Sequence, residues 1–377
     1  MDTTHAKPYM NIPPGDFVAD ELDERGWTQA TLAEVLGVSL QTVSKLIKAK
    51  QTISVDMAKR LSSAFGQSPQ YWLALENNYQ LRKADFGESH GVEQNSALFT
   101  RVPVASLRKK GWVREGADAD AVRTWLTRLW QTDDVETALE QSVSLPMAAR
   151  RSSAYSQYSS NYAAVWFQVA RRVAATYEVP RYDKRALESL VTDMPRLSAD
   201  AHGVGDFLGR LNDCGIKAFR LSHVEKTYTD GAAFWDGANP AIVFTARLDW
   251  DDSFWFTMGH EIGHLLLHLT KSDDYFIDEG VDGGGEREQQ ADEYAAVAFG
   301  HQAIYDHFAP LKHRISRGAV EDFARVNGIS ASVVVGCLHH HTLLSHRNLN
   351  DLRAKLLPQL DEAYLGDERV LEAVDAA

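Results

Sequence analysis

Nine residues, His260-Glu261-Ile262-Gly263-His264-Leu265-Leu266-Leu267-His268, have the types and spacing that could do chemistry. Residues four apart on a helix return to nearly the same face, so the imidazoles of His260 and His264 can share one metal ion. Glu261 stands one step round, near enough to act on a water beside that ion without ligating it. Two histidines alone hold zinc weakly, and a catalytic zinc usually has three protein ligands. The third is expected from residues 286–296, whose alanines and long polar side chains favour a helix. Glu288 and Asp292 are again four apart and share a face. Glu288 is expected as the ligand and Asp292 as the acceptor of a hydrogen bond from a ligating imidazole. Glu286 is the alternative ligand, while His268 lies too far round its helix to be one.

The chemistry implied is metal-assisted hydrolysis of a peptide bond. Zn2+ bound by such a set lowers the pKa of water to about 7, and Mn2+ or another divalent ion could take its place. Glu261 would accept the proton and hand it to the leaving amine. The developing oxyanion needs a further donor. His340 and Tyr294 are the expected catalytic residues for that role, with His339 and His341 beside His340.

Several elements must position these groups. Residues 254–267 read as the active-site helix, and 216–220, 231–235 and 242–245 have strand-like composition, which together make a small α+β unit. The segment Ala232-Ala233-Phe234-Trp235 reads either as an edge strand that takes up an extended substrate or as an ordinary buried strand. Phe276-Ile277-Asp278 and the glycines at 280 and 283–285 predict a mobile loop ahead of the third ligand.

The amino-terminal part carries a different pattern. Residues 17–22 open an amphipathic helix, Thr28 caps a second, Gly37 breaks it, and Ser39 caps a third. The run 32–47 has the form of a helix-turn-helix: a small residue, a tight turn, then a helix with a polar outer face. Leu40, Val43, Leu46 and Ile47 are expected to face inward. Gln41, Thr42, Lys45 and Lys48 face outward and, with Gln29 and Ser39, are the expected DNA contacts. No acidic residue occurs between Glu34 and Asp56, whereas Lys45, Lys48 and Lys50 do, so this surface is basic. The same shape could serve only for dimerisation or protein contact.

Between the two ends, residues 85–96 read as a linker or connecting turn. Amphipathic helices are expected over 118–130, 134–141 and 162–177, with Pro146, Pro180 and Pro195 as separators. Nothing there has ligand spacing. Residues 324–334 repeat the spacing of 33–43, with Gly328 and Ser330 at the turn, but an apolar outer face marks this copy as packing rather than a second DNA reader.

Composition sets bounds on these readings. The chain has 377 residues, enough for two or three domains, and a net charge of −13, which argues against non-specific coating of nucleic acid. Its two cysteines, Cys214 and Cys337, exclude a disulfide framework and a thiolate zinc cluster. No signal peptide or membrane-length stretch is present, so a cytoplasmic protein with no membrane partner is expected.

HEIGHLLLH followed by E-x-x-A-D-x-Y-A (Glu288, Ala291, Asp292, Tyr294, Ala295) resembles the ImmA/IrrE metallopeptidases, whose matching element usually reads E-x-x-A-N-x-F-A. The resemblance runs through about residues 200–350, including Gly231-Ala232-Ala233-Phe234-Trp235, Asp252-Ser253-Phe254-Trp255-Phe256-Thr257 and Val334-Val335-Gly336. It implies a zincin-like fold and a regulatory zinc peptidase that cleaves DNA-binding repressors. Residues 11–85 resemble the HigA-type, XRE-like antitoxin domains, which implies a third helix in the major groove and pairing as a homodimer. Leu40 departs from that pattern, where a polar or basic residue is common.

The expected architecture is therefore multidomain and mainly α. An all-α helix-turn-helix domain (11–85) is followed by a helical linker region (86–200) and an α+β metallopeptidase domain (201–377). The expected function is DNA-associated, zinc-dependent endoproteolysis of a repressor or of the chain itself, in stress or mobile-element regulation. The alternative is a helix-turn-helix repressor or antitoxin whose peptidase-like domain is inactive or sensory.

Overall fold

The computed structural model describes residues 11–84, 87–143, 158–269, 285–311 and 314–376. The expected loop at 276–284 and the separator Pro146 lie outside them. The chain divides after Asn95 into two compact units.

The first unit holds five helices: α1 (Pro14–Arg25), α2 (Gln29–Leu36), α3 (Leu40–Ile47), α4 (Val55–Phe65) and α5 (Pro69–Lys83). Thr28, Ser39, Ser54 and Ser68 each accept the backbone N–H three residues on and so fix where α2 to α5 begin. Gly37, at φ 63°, adopts the left-handed conformation that ends α2. From there α3 departs at 114°, within the range of about 90–120° for a helix-turn-helix. The core is built from Val18, Leu22, Leu32, Leu36, Val43, Leu46, Leu61 and Trp72. A Cβ at Gly15 would lie 2.4 Å from the Ile47 carbonyl oxygen, so α1 reaches the end of α3 only through a glycine. Leu40 was expected inside and is instead 53% exposed. It is the first residue of α3, and side chains lean towards a helix's N-terminus, which carries this one past the core.

The turn expected over 85–96 is helical from Gly87 onward, in α6 (Gly87–Arg101). Glu88, Val92, Glu93, Gln94 and Ala97 can sustain a helix there despite Gly91, which costs about 1 kcal/mol relative to alanine. The chain continues as α7 (Val104–Lys109), α8 (Ala119–Trp130), α9 (Val135–Val143), α10 (Ser160–Ala174), α11 (Lys184–Ser198) and α12 (Gly203–Asp213). Pro195 does not separate helices but sits near the C-terminal end of α11. Next come β1 (Lys217–Arg220), β2 (Gly231–Asp236), β3 (Asn239–Phe244), α13 (Asp251–Leu267), α14 (Glu286–Ala298), α15 (His301–Phe308), α16 (Arg317–Asn327), α17 (Ala331–His340) and α18 (Val370–Asp375). Between α16 and α17, Gly328 adopts the same left-handed conformation as Gly37 and Ser330 caps the next helix, with Val333, Val334 and Val335 buried. No single helix among the described residues is long and apolar enough to cross a membrane.

The three strands form one sheet in the order β1-β3-β2, with β1 parallel and β2 antiparallel to β3. Successive side chains on a strand point to opposite faces, and both faces are covered. Ala218, Ala233, Trp235, Ile242 and Phe244 pack with α11, α12, α13 and α15 to α17. Phe219, Phe234, Ala241 and Val243 pack with α7, α8, α10 and α18. The helices from 104 to 177 are therefore the second cover of the sheet and not a spacer between domains. Uncovering Phe219, Phe234 and Val243 would forfeit about 1.5–3 kcal/mol each, against a total stability of about 5–15 kcal/mol for a domain. We therefore expect a fragment of residues 96–377 to fold cooperatively, and one of 201–377 to expose dye-binding apolar surface and lose protease resistance. A sharp thermal transition in the shorter fragment would show that the cover is dispensable.

Candidate metal centre

The site rests on how closely two helices approach. Helix α13 presents Gly259 and Gly263 where α14 presents Ala291 and Ala295. A Cβ at Gly259 would stand 3.1 Å from that of Ala295, and one at Gly263 would stand 3.1 Å from the Ala291 Cα and the Tyr294 Cβ. This contact brings the first turn of α14 against the histidine face of α13. Glu288, with Ala291 and Ala295, lies on the buried face of α14.

His260, His264 and Glu288 converge there, all buried. The two Nε2 atoms are 2.9 Å apart. Glu288 Oε2 is 3.3 Å from His260 Nε2 and Oε1 is 3.3 Å from His264 Nε2. Glu288 Oε1 is buried against the His264 ring. Zinc–nitrogen bonds of about 2.0–2.1 Å at tetrahedral angles place neighbouring donors about 3.3 Å apart, so the triangle fits such an ion. The second donors are also engaged. His260 Nδ1 pairs with Asp292 Oδ1 at 2.8 Å, and His264 Nδ1 with His268 Nδ1 at 3.1 Å. His268 Nε2 in turn meets Gln290 Oε1 at 2.9 Å. Glu286, the alternative ligand, is exposed and accepts from Gln290 at 3.1 Å.

Electrostatics separates the two histidines. Burial opposes a charge on His260, but Asp292 and Glu288 outweigh it and raise the ring to about 9. Burial lowers His264, with Glu288 opposing and His260 assisting. Glu288, despite its own burial, is held well below the usual carboxylate range by both imidazoles.

Glu261 is 3% exposed. A Cβ at Gly231 would lie 2.7 Å from Glu261 Oε1 and 2.9 Å from Thr257 Cγ2, so only glycine allows β2 to start this close to the carboxylate. β2 is an edge strand among the described residues, which places a sheet edge beside the metal triangle. The α17 helix and Arg353, which follows it in the chain, brace the start of α13. Arg353 donates to Asp252 at 2.9 and 2.8 Å, Ser332 donates to Asp251, and a Cβ at Gly336 would lie 2.4 Å from Asp252 Oδ2.

The two expected oxyanion donors flank α13 at different points. Tyr294 packs on Gly263 and is raised by burial and then by Glu188 of α11. The His340 ring stacks 6.4 Å from Phe256, one turn before His260, and lines a cavity of about 550 Å³ that also reaches Asp292. The role of His268 and Gln290 as a brace for His264 was not anticipated, although the four-residue step from His264 to His268 carries that signal. In the first unit, Gln29, Ser39, Gln41, Lys45 and Lys48 are exposed and Thr42 is half-buried. Ser39 and Thr42 are joined by a 2.8 Å hydroxyl contact within the cap of α3. Exposed Leu40 joins this surface.

Residues 18–72 match a helix-turn-helix family model, and residues 212–334 match that of the IrrE N-terminal-like domain, Peptidase_M78. The chain joins a helix-turn-helix regulator domain to an IrrE-like peptidase-family domain. The IrrE-like match covers the sheet, the metal triangle and the first four residues of α17, and ends before His340. Among relatives, the HTH-type transcriptional regulator YddM of Escherichia coli is 35% identical over 72 residues, 19% of this chain and 77% of that protein. Antitoxin HigA-1 of Vibrio cholerae is 28% identical over 110 residues, 29% of this chain and 96% of that one. Among solved structures, Pseudomonas aeruginosa antitoxin HigA with its higBA promoter is 36% identical, covers 22% of this chain and 94% of that one, and superposes with a TM-score of 0.21.

Because His260 is raised to about 9 and a ligating imidazole must be neutral, a divalent ion has to displace a proton from it. We expect zinc uptake by the chelator-treated protein near pH 7 to release about one proton. Affinity should rise with pH and level off above about 9, and in Asp292→Ala the levelling should move to lower pH. Calorimetry in buffers of different ionisation enthalpy measures this, and uptake without proton release would contradict the charged state of His260.

Proposed function

We propose that the chain is a DNA-associated regulatory zinc metalloendopeptidase whose substrate is a DNA-binding repressor. The observation that carries this reading is the triangle of His260, His264 and Glu288 at the edges of a tetrahedral ion, with Glu261 and the start of edge strand β2 beside it. A bound zinc ion supplies Lewis acidity and brings water to a pKa of about 7. Asp292 holds the His260 ring in one orientation, and His268 does the same for His264. An extended peptide pairs with β2, so its backbone hydrogen bonds fix the scissile carbonyl near Glu261. Glu261 accepts the proton of the attacking water and returns it to the leaving amide nitrogen.

The protein substrate follows from the family resemblance. Cleavage in trans is the favoured form, because the segment at 87–101 is helical and would have to unwind to lie along a strand. The exposed surface of α3 delivers the peptidase to DNA, with two copies pairing on a two-fold operator. A second reading, a repressor or antitoxin with a catalytically idle domain, draws on the regulator and antitoxin relatives of the first unit.

The deciding experiment incubates zinc-loaded protein with operator DNA and co-purifying repressors, beside Glu261→Gln. We expect fragments from the native chain and a rate at least about 100-fold lower in the variant, with zinc content unchanged. Intact substrate with the native chain in every condition would favour the second reading. For the DNA surface, Lys45→Ala is expected to weaken binding to all sequences alike and to reduce the salt slope by about 1. An unchanged slope in gel retardation would remove Lys45 from the phosphate contacts.

A further inference from the structure

Outside the metal triangle, the described residues bring together one other set of metal-binding side chains. His301 is the first residue of α15, Cys337 lies on α17, and His341 caps the same helix. One donor atom from each lies within 4.8 Å of the other two. Cys337 and His341 are four residues apart and so share a helix face, and the third donor comes from the first turn of another helix. His260, His264 and Glu288 use the same construction.

Their surroundings favour a ligand. His301 is 7% and Cys337 2% exposed. His341 Nε2 is buried with no hydrogen-bond partner, a position that is costly unless a ligand or ion satisfies it. Cys337 Sγ approaches the His301 carbonyl oxygen at 3.8 Å, so the thiol already faces the α15 turn. His301 and Cys337 line a cavity of about 520 Å³, and His301 and His341 line a second of about 550 Å³; an ion therefore has a path in. A tetrahedral zinc with bonds of about 2.0–2.1 Å to nitrogen and about 2.3 Å to sulfur spaces its donors about 3.3–3.6 Å apart. The observed set, within 4.8 Å, has to contract by about 1 Å to reach that size.

We propose that His301, Cys337 and His341 form a second metal site, for a thiophilic divalent ion of the zinc class. Two imidazoles and one thiolate contain no oxygen donor, which disfavours magnesium, calcium and manganese. On binding, the Cys337 thiol gives its proton to solvent as the sulfur–metal bond forms. Three protein donors leave the fourth position to water, or to His340, whose ring lies 5.0 Å from that of His341. Phe256 stacks on His301 at 5.8 Å and belongs to α13 one turn before His260. The second site is thus packed against the helix that carries the first.

Cobalt(II) distinguishes the two, because only the second site contains sulfur. The full-length chain, stripped with chelator, is titrated with cobalt while the thiolate-to-cobalt charge-transfer band and the bound equivalents are followed. We expect two equivalents and the band. Cys337→Ser and His341→Ala should each lose the band and one equivalent, with the helical circular dichroism kept. His264→Ala should lose the other equivalent and keep the band. One equivalent with no band in the native chain would overturn the proposal, as would a band surviving in Cys337→Ser, which would assign it to Cys214. Should Cys337→Ser fail to fold, the half-buried His341→Ala gives the same reading.

Discussion

The contact between α13 and α14 is the constraint on which the rest of the second unit depends. Gly259 and Gly263 in the middle of α13 each cost about 1 kcal/mol against alanine. In return, α14 comes close enough for a short carboxylate to reach two imidazoles, since Ala291 and Ala295 meet the glycines directly. A β-carbon at either position would hold the helices apart and take Glu288 and Asp292 out of register with His264 and His260. The pattern of small residues four apart on both helices is thus as necessary to the site as the ligands.

That contact also explains why the sheet is buried on both sides. The aromatic face of α13, with Phe254, Trp255 and Met258, must rest on something rigid, and it rests on Ile242 and Phe244 of β3. A three-stranded sheet is thin, and its other face carries Phe219, Phe234 and Val243, which would otherwise meet water. The helices around α10 supply the cover. Among the described residues β2 stays at the edge, where its first residue meets Glu261, so one sheet anchors the helix that carries His260 and His264 and places a strand beside the carboxylate.

The sequence made the local features legible. The four-residue steps of His260/His264 and Glu288/Asp292 located the metal triangle, and Thr28, Gly37 and Ser39 located the helix-turn-helix, because caps and helical periodicity act over a few residues. Non-local features were not legible. Nothing in 104–177 marks it as the cover of strands 219–243, since amphipathic helices look alike whatever they pack against. Cys337 and His341 have the right step, but their partner His301 lies 36 residues before Cys337, on another helix. Leu40 followed the inward period of α3, and only its place at the helix start, beyond the core, put it outside.

Leu40 matters for what the first unit could read. On the proposed reading, α3 enters the major groove by its N-terminal end, where Leu40 and Gln41 are exposed side by side. An amide can pair with the N6/N7 edge of adenine, and an apolar side chain can meet the thymine methyl, so this pair suits an A·T step better than a G·C one. The phosphate contribution is small: Lys45, Lys48 and Lys50 are the only charges between Glu34 and Asp56. Three contacts give a salt slope of about −3 per copy, well below that of a tight operator complex. On that same reading, two copies on a two-fold site double this contribution, which is why pairing belongs to the proposed mode of DNA binding.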